Sequence, residues 1–208
     1  MILIGQYDSS FVRRIGIALT LQDIPFEHRP WSVFGDGERI MALNPLMRVP
    51  TLVLDDGDVI VDSPGMVDYI EGLLPAGRAM LPRDEPLRRR AVRVMALATG
   101  LADKAVALFY EQRLHETPSP VWVERCKAQI GATLAALDAA CGKPAGKHLF
   151  GDRIGHPDIA IACALRHARD SHPDLIDLTA HPALAAHAER LEAMPVFQKI
   201  SQPFIAPT

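Results

Sequence analysis

Three short stretches of the chain carry residue types that can do chemistry. The first is "YDSSF", where Tyr7, Asp8, Ser9 and Ser10 lie between the apolar run "ILIGQ" and an amphipathic stretch starting at Phe11. A serine at a helix start can cap the unpaired N–H groups there. It can also donate to a thiolate and keep it ionised, helped by the positive end of the helix dipole. A serine-hydrolase reading fits poorly, because no GxSxG elbow surrounds Ser9. The second stretch is "RVPTL". A proline at the start of a strand gives no N–H to the ladder. A cis Val49–Pro50 bond would turn the Val49 backbone outward, where an extended peptide can pair with it; a plain edge-strand start is the alternative. The third is Asp62-Ser63-Pro64. Ser63 as a helix N-cap with Pro64 at the first helical position suits a carboxylate, and Asp62 beside it suits an ammonium. Together they match one α-amino-acid head group, or they are only a cap.

The elements that would hold these residues follow from periodicity and punctuation. Residues 2–6 read as a short buried strand, Phe11 to Ile24 as a helix stopped by Pro25, and "FEHRPW" as a second strand. This β-α-β unit calls for parallel strands. A short helix in "DGERIMALNP" closes at Asn44-Pro45. "PTLVL" and "VIVD" then flank the turn "DDGD" as a hairpin, and "SPGMVDYIEGLLP" follows as a helix ending before Pro75. The proline-rich "PAGRAMLPRDEP" reads as a linker, after which strand signals vanish. Helices are expected at 87–115, 119–141, 157–170, 182–193 and 195–201, the third nearly continuous in apolar character. The expected domains are therefore residues 1–75, α/β, and 87–208, all-α, joined by a linker at 76–86.

The totals narrow the function. The chain has 208 residues, 49% hydrophobic and 23% charged, which is globular composition. A net charge of −3 offers no basic excess for nucleic acid or anionic membrane. No apolar run approaches the ~20 residues that span a bilayer, and no secretory signal is evident, so the expectation is a cytoplasmic protein. Cys126, Cys141 and Cys163 form no CxxC, and the eight histidines show no ligand spacing such as HExxH, so no metal site is expected.

Taken in order, these stretches resemble the cytosolic glutathione S-transferases over essentially the whole chain. "YDSSFVRRIGIAL" is similar to that family's "YxSPFVRKVRIAL". "NPLMRVPTLVLDDGDVIVDSPGMVDYI" is similar to "NPxGKVPxLxxDDGxxLxESxAIxxYL", and "GDRIGHPDIAIACAL" to "GDxxTxADI". The resemblance, to a bacterial serine-type member, implies a thioredoxin-like N-terminal domain, a helical C-terminal domain, a homodimer and a cis Val49–Pro50 bond. It gives Ser9 the role of stabilising the glutathione thiolate, with Ser10 where many relatives have proline. It places Arg48 at the glycyl carboxylate, Val49 and Pro50 along the cysteinyl backbone, and Asp62 and Ser63 at the γ-glutamyl head. It makes Tyr7 more a packing residue than a thiolate donor. Tyr7, Ser10, Trp31, Phe34, Phe109 and Tyr110 are candidates for the wall of an apolar electrophile pocket. Asp158 would cap the core helix of the second domain.

Three positions depart from the pattern: Met47 for glycine, Gly155 for a Ser/Thr cap, and Thr99 for an aspartate that reaches the partner subunit's glutathione. The implied activity is conjugation of glutathione, as co-substrate, to a small apolar electrophile. A glutathione-dependent isomerase of the maleylacetoacetate type and a non-catalytic interaction module remain as alternatives.

Overall fold

The computed structural model describes residues 1–206. It contains a four-stranded mixed sheet and eight α-helices among those residues, in the β-α-β-α-β-β-α order expected of the first unit, followed by helices. Strand β1 (Ile2–Ile4) leads to α1 (Ser10–Leu21) and then to β2 (Glu27–Arg29), which pairs parallel with β1. After the short α2 (Gly37–Met41), β3 (Thr51–Val53) and β4 (Val59–Val61) form the antiparallel hairpin that the Asp-Gly turn called for. β3 also pairs antiparallel with β1, giving the order β2-β1-β3-β4. Helix α3 (Ser63–Leu73) follows directly on β4. This is the thioredoxin-like arrangement, and its core is aliphatic: Leu3, Ile4, Val12, Ile15, Leu52, Met66 and Ile70 are fully buried.

Two boundaries differ from the sequence expectation for local reasons. The first strand stops at Ile4, because Gly5 turns the chain with φ +127°. Helix α1 begins at Ser10, so Ser9 is its N-cap. The edge-strand reading of Pro50 also fails. β3 lies inside the sheet, and the Val49–Pro50 bond is cis, as is Glu85–Pro86.

The helical unit contains α4 (Leu87–Leu114), α5 (Pro120–Cys141), α6 (His156–Ser171) and α7 (Pro182–Glu192). Ile159 through Leu165 in α6 are each no more than 2% exposed, so this stretch is apolar all round because it is enclosed all round. Its start is held by Asp158, whose carboxylate accepts the N–H groups of Gly155 (2.9 Å) and Leu149 (3.0 Å). Glycine has no side chain to return the favour, so this is half of a capping box. Burial opposes the charge on Asp158. Hydrogen bonds from His187, Leu149 and Gly155 outweigh it and hold the carboxyl below its usual range.

The expected assignment of everything from 87 onward to the helical domain needs correction. Contacts group Met1–Met80 with the segment from Met194 onward, and Leu81–Ala193 separately. The reason is Arg13. It is 2% exposed inside α1, and it donates from Nε to the Ile200 carbonyl and from Nη2 to the Phe197 carbonyl, both at 2.8 Å. The carbonyls at the end of the short α8 (Pro195–Lys199) need such partners, and a buried guanidinium supplies them. The front of the expected linker likewise belongs to the first unit: Arg78 bonds Gln22 and Asp23, and the Met80 N–H bonds Glu71. Among the described residues, no helix is long and apolar enough to cross a membrane.

Candidate active site

The strand register gathers the sequence candidates at one end of the sheet. Ile4 pairs with Thr51, Thr51 with Val61, and Ile4 with Arg29. The chain therefore leaves β1 toward Ser9, enters β3 from Val49–Pro50, leaves β4 into Asp62–Ser63, and leaves β2 toward Trp31, all at the same edge. Contact between two of these loops is close. A methyl group on Gly5 would lie 2.5 Å from Val12 Cγ2 and 2.7 Å from Val49 Cβ, so only glycine lets β1 turn there.

Ser9 caps α1 with extended backbone, and its Oγ accepts the Val12 N–H at a long 3.5 Å. That bond uses a lone pair and leaves the O–H hydrogen to donate. The first turn of α1 contains no acidic side chain to offset the positive helix end. Ser10, by contrast, is the first helical residue, 4% exposed, and its Oγ has no hydrogen-bond partner among the described residues. Ser9, and not Ser10, is therefore the cap.

Tyr7 faces elsewhere. Its ring stacks on His28 with centroids 3.8 Å apart, and its hydroxyl lies over Gly16, well inside α1. Burial pushes the phenol up to about 12. His28 in turn reaches the Gly5 carbonyl through Nε2 at 2.8 Å, bracing the same turn.

The loop into β3 is organised by Asn44, which in the sequence reads only as a helix stop. Asn44 is fully buried. Its Nδ2 donates to the Arg48 carbonyl (2.9 Å) and to Thr51 Oγ1 (3.0 Å), and its Oδ1 accepts the Leu46 N–H (3.0 Å). The signal available in the sequence was an Asx residue next to proline in a loop. Met47 has φ +53°, which accounts for the glycine usual at that position in the resembling sequences. The Val49 N–H donates and its C=O accepts no hydrogen bond among the described residues. The Arg48 side chain is exposed.

At α3 the expected cap shifts by one residue. Asp62 is the N-cap, with φ +68° and ψ 135°, and its Oδ1 accepts the Ser63 N–H at 2.8 Å. A non-glycine residue in that region costs about 1–3 kcal/mol, a cost that tends to persist at functional sites. Ser63 is the first helical residue; its Oγ is buried and has no partner among the described residues. A lone buried hydroxyl is short of a hydrogen bond that a ligand can supply.

The electrophile candidates fall in separate units. Trp31 lies under the guanidinium groups of Arg39 (4.8 Å) and Arg29 (5.8 Å), and Phe34 is 51% exposed. In the helical unit, Phe109 meets Tyr110 at 6.3 Å and packs edge-on to His172 at 6.1 Å. The Thr99 hydroxyl is committed to its own helix, bonding the Met95 and Ala96 carbonyls. No cluster of His, Cys, Asp and Glu among the described residues has the makings of a metal site.

Comparison with known proteins places this arrangement. Residues 3–78 match the model of the glutathione S-transferase N-terminal domain, and residues 120–190 that of the C-terminal domain. The chain belongs to the glutathione S-transferase family. It is 34% identical over 166 residues to an uncharacterized GST-like protein of Escherichia coli (strain K12), YibF, covering 79% of this chain and 80% of that one. It is 30% identical over 209 residues to maleylacetoacetate isomerase of Mus musculus, covering 97% and 92%. Among solved structures, a glutathione S-transferase of Methylobacterium radiotolerans in complex with glutathione sulfonate superposes with a TM-score of 0.88 at 27% identity, covering 100% and 98%.

Proposed function

We propose that the first unit binds glutathione and that Ser9 holds its sulfur as a thiolate for reaction with a small electrophile, as in a serine-type enzyme of the family. The observation that carries this is the Ser9 cap: a hydroxyl with its hydrogen still to donate, at a helix start with no acidic neighbour in the first turn. A free thiol of pKa about 8.5 is a few per cent thiolate at neutral pH, and lowering it by about two units makes roughly three-quarters of it reactive. Val49, with its unpaired backbone, would take the cysteinyl part of the tripeptide. The unpartnered Ser63 hydroxyl and the exposed Asp62 carboxylate would take the carboxylate and ammonium of the γ-glutamyl head, and Arg48 the glycyl carboxylate. The glutathione complexes among the structural relatives support the ligand. The test is the ultraviolet absorbance of bound glutathione against pH. The wild-type thiol should titrate well below its free value, and Ser9→Ala should return it toward that value. A titration that follows Tyr7→Phe and ignores Ser9→Ala would mean a tyrosine-type site.

Likeness to maleylacetoacetate isomerase over nearly the whole chain favours a second reading, in which the same thiolate adds to an ene-dione, allows rotation and leaves again. Product analysis separates the two, since an isomerase returns free glutathione and a transferase keeps the thioether. The chain is further proposed to act as a homodimer, the commonest closed arrangement, for which the exposed Leu87 and Val92 of α4 offer apolar surface. Light scattering giving a monomer mass at micromolar protein would refute that.

A further inference from the structure

The loop that carries Ser9 is held from two directions. The body of the first unit supplies one set of bonds: the Gly5 N–H donates to the Arg29 carbonyl (2.9 Å), and the Ser9 N–H to the Gln6 carbonyl (3.2 Å). The residues between are tied to the segment that follows α8. The Tyr7 N–H donates to Gln202 Oε1 at 3.1 Å, a bond spanning 195 residues. The Asp8 carboxylate accepts the Ile205 N–H at 3.1 Å. Both contacts fall on the two residues that immediately precede Ser9.

This segment does not drift past the loop; it is fastened to α1 as well. Arg13 holds the Phe197 and Ile200 carbonyls, and its guanidinium also lies over the Phe197 ring at 5.5 Å. Phe197 is fully buried and Ile200 is 5% exposed. A methyl group on Gly16 would sit 2.9 Å from Tyr7 Cε1 and 3.1 Å from Ile200 Cγ2. The bare helix surface at Gly16 therefore seats the tyrosine of the loop and the isoleucine of the tail side by side.

We propose that residues Gln202 to Ile205 form a strap that positions the Ser9 hydroxyl, with Gln202 as the positioning residue that acts through Tyr7. The inference rests on the thiolate role of Ser9 given above. A donor that stabilises a thiolate works only within a narrow range of distance and angle. The Tyr7 N–H lies two residues from that donor, and its partner is a side chain from the C-terminal segment. The strap adds a requirement that residues 1–80 do not meet by themselves: the segment at 202–205 must be in place before the site is set.

The experiment compares Gln202→Ala, Gln202→Glu, Ser9→Gly and the Ser9→Gly/Gln202→Ala double variant in the full chain. Three quantities are read: amide exchange at residues 6–9, the pH titration of bound glutathione thiol, and kcat with KM for glutathione. Gln202→Ala should speed exchange at Tyr7 to Ser9, raise the bound thiol's pKa, and lower kcat about ten-fold with KM nearly unchanged. Gln202→Glu keeps an acceptor oxygen and should restore the protection. The double variant should be no slower than Ser9→Gly alone, because both act on one hydroxyl. Unchanged exchange in Gln202→Ala overturns the strap. So does faster exchange with an unmoved thiol titration, or kcat losses that multiply in the double variant. If Ser9→Gly itself leaves the titration unmoved, the thiolate reading has failed and the strap's part in it falls with it, a result distinct from any failure at Gln202.

Discussion

Replacing Ser9 separates chemistry from capping, because one oxygen serves both. As a cap, a serine is worth about 0.5–2 kcal/mol relative to alanine and only a few tenths relative to glycine. The 3.5 Å distance to the Val12 N–H puts Ser9 at the low end of that range. As a thiolate donor, the hydroxyl is worth about 1.4–4 kcal/mol in the transition state, or roughly ten- to a thousand-fold in rate. Ser9→Ala and Ser9→Gly should thus lose kcat equally while differing in stability, with the alanine variant about 0.5–1 kcal/mol less stable. Glutathione affinity should hardly change in either, because Val49, Asp62 and Ser63 are proposed to hold other parts of the peptide. The assays are denaturant unfolding for stability, calorimetry for affinity, and single-turnover conjugation to a chromogenic electrophile for rate. Ser10→Ala is the control. It removes a buried hydroxyl without a partner, so it should leave kcat within about two-fold and cost no stability. If the two Ser9 variants lose rate in proportion to their stability, or if Ser10→Ala loses as much rate as they do, the assignment to Ser9 is wrong.

Other substitutions probe the rest of the molecule. Asp62→Ala and Ser63→Ala should each weaken glutathione binding by about 1.5–3 kcal/mol with the fold intact; calorimetry showing wild-type affinity in both would remove the head-group assignment. Asn44→Ala gives up three bonds, with Arg48's carbonyl still satisfied by Thr51 Oγ1 at 3.0 Å. It should cost about 2–4 kcal/mol in urea unfolding and weaken glutathione binding besides. Asp158→Ala strands the Leu149 and Gly155 N–H groups and should cost about 2–5 kcal/mol. The Asp158 carboxyl is held below its usual range in the folded chain, so its contribution is fully present above the ordinary carboxylate pKa of about 4 and is lost as pH falls through the lower folded value. Melting temperatures taken from pH 6 downward should therefore fall less steeply below about pH 4 in Asp158→Asn than in the wild type; parallel curves would contradict this.

What the sequence determined by itself was the local grammar. Short apolar runs on either side of "DDGD" specify the β3–β4 hairpin, the continuous run "IAIACAL" specifies an enclosed helix, and Pro64 marks the start of α3. Each depends on residues within about ten positions of one another, and periodicity and turn chemistry are written at that range. Tertiary structure decided what those signals leave open. Either serine of "YDSSF" can cap on paper; in the fold Ser9 carries the extended backbone of a cap and Ser10 is the first helical residue. Ser63 and Asp62 exchange places because the end of β4 brings Asp62 to φ +68°, which no propensity foretells. Asn44 reads as a helix stop until the Arg48 carbonyl and Thr51 are folded onto it. Nothing local marks Arg13 for burial, yet it is buried, because the carbonyls of residues 197 and 200 come back to meet it. A hydrogen bond spanning 187 residues leaves no local mark in the chain; it exists only once the apolar surface of α1 has chosen which segment to bury.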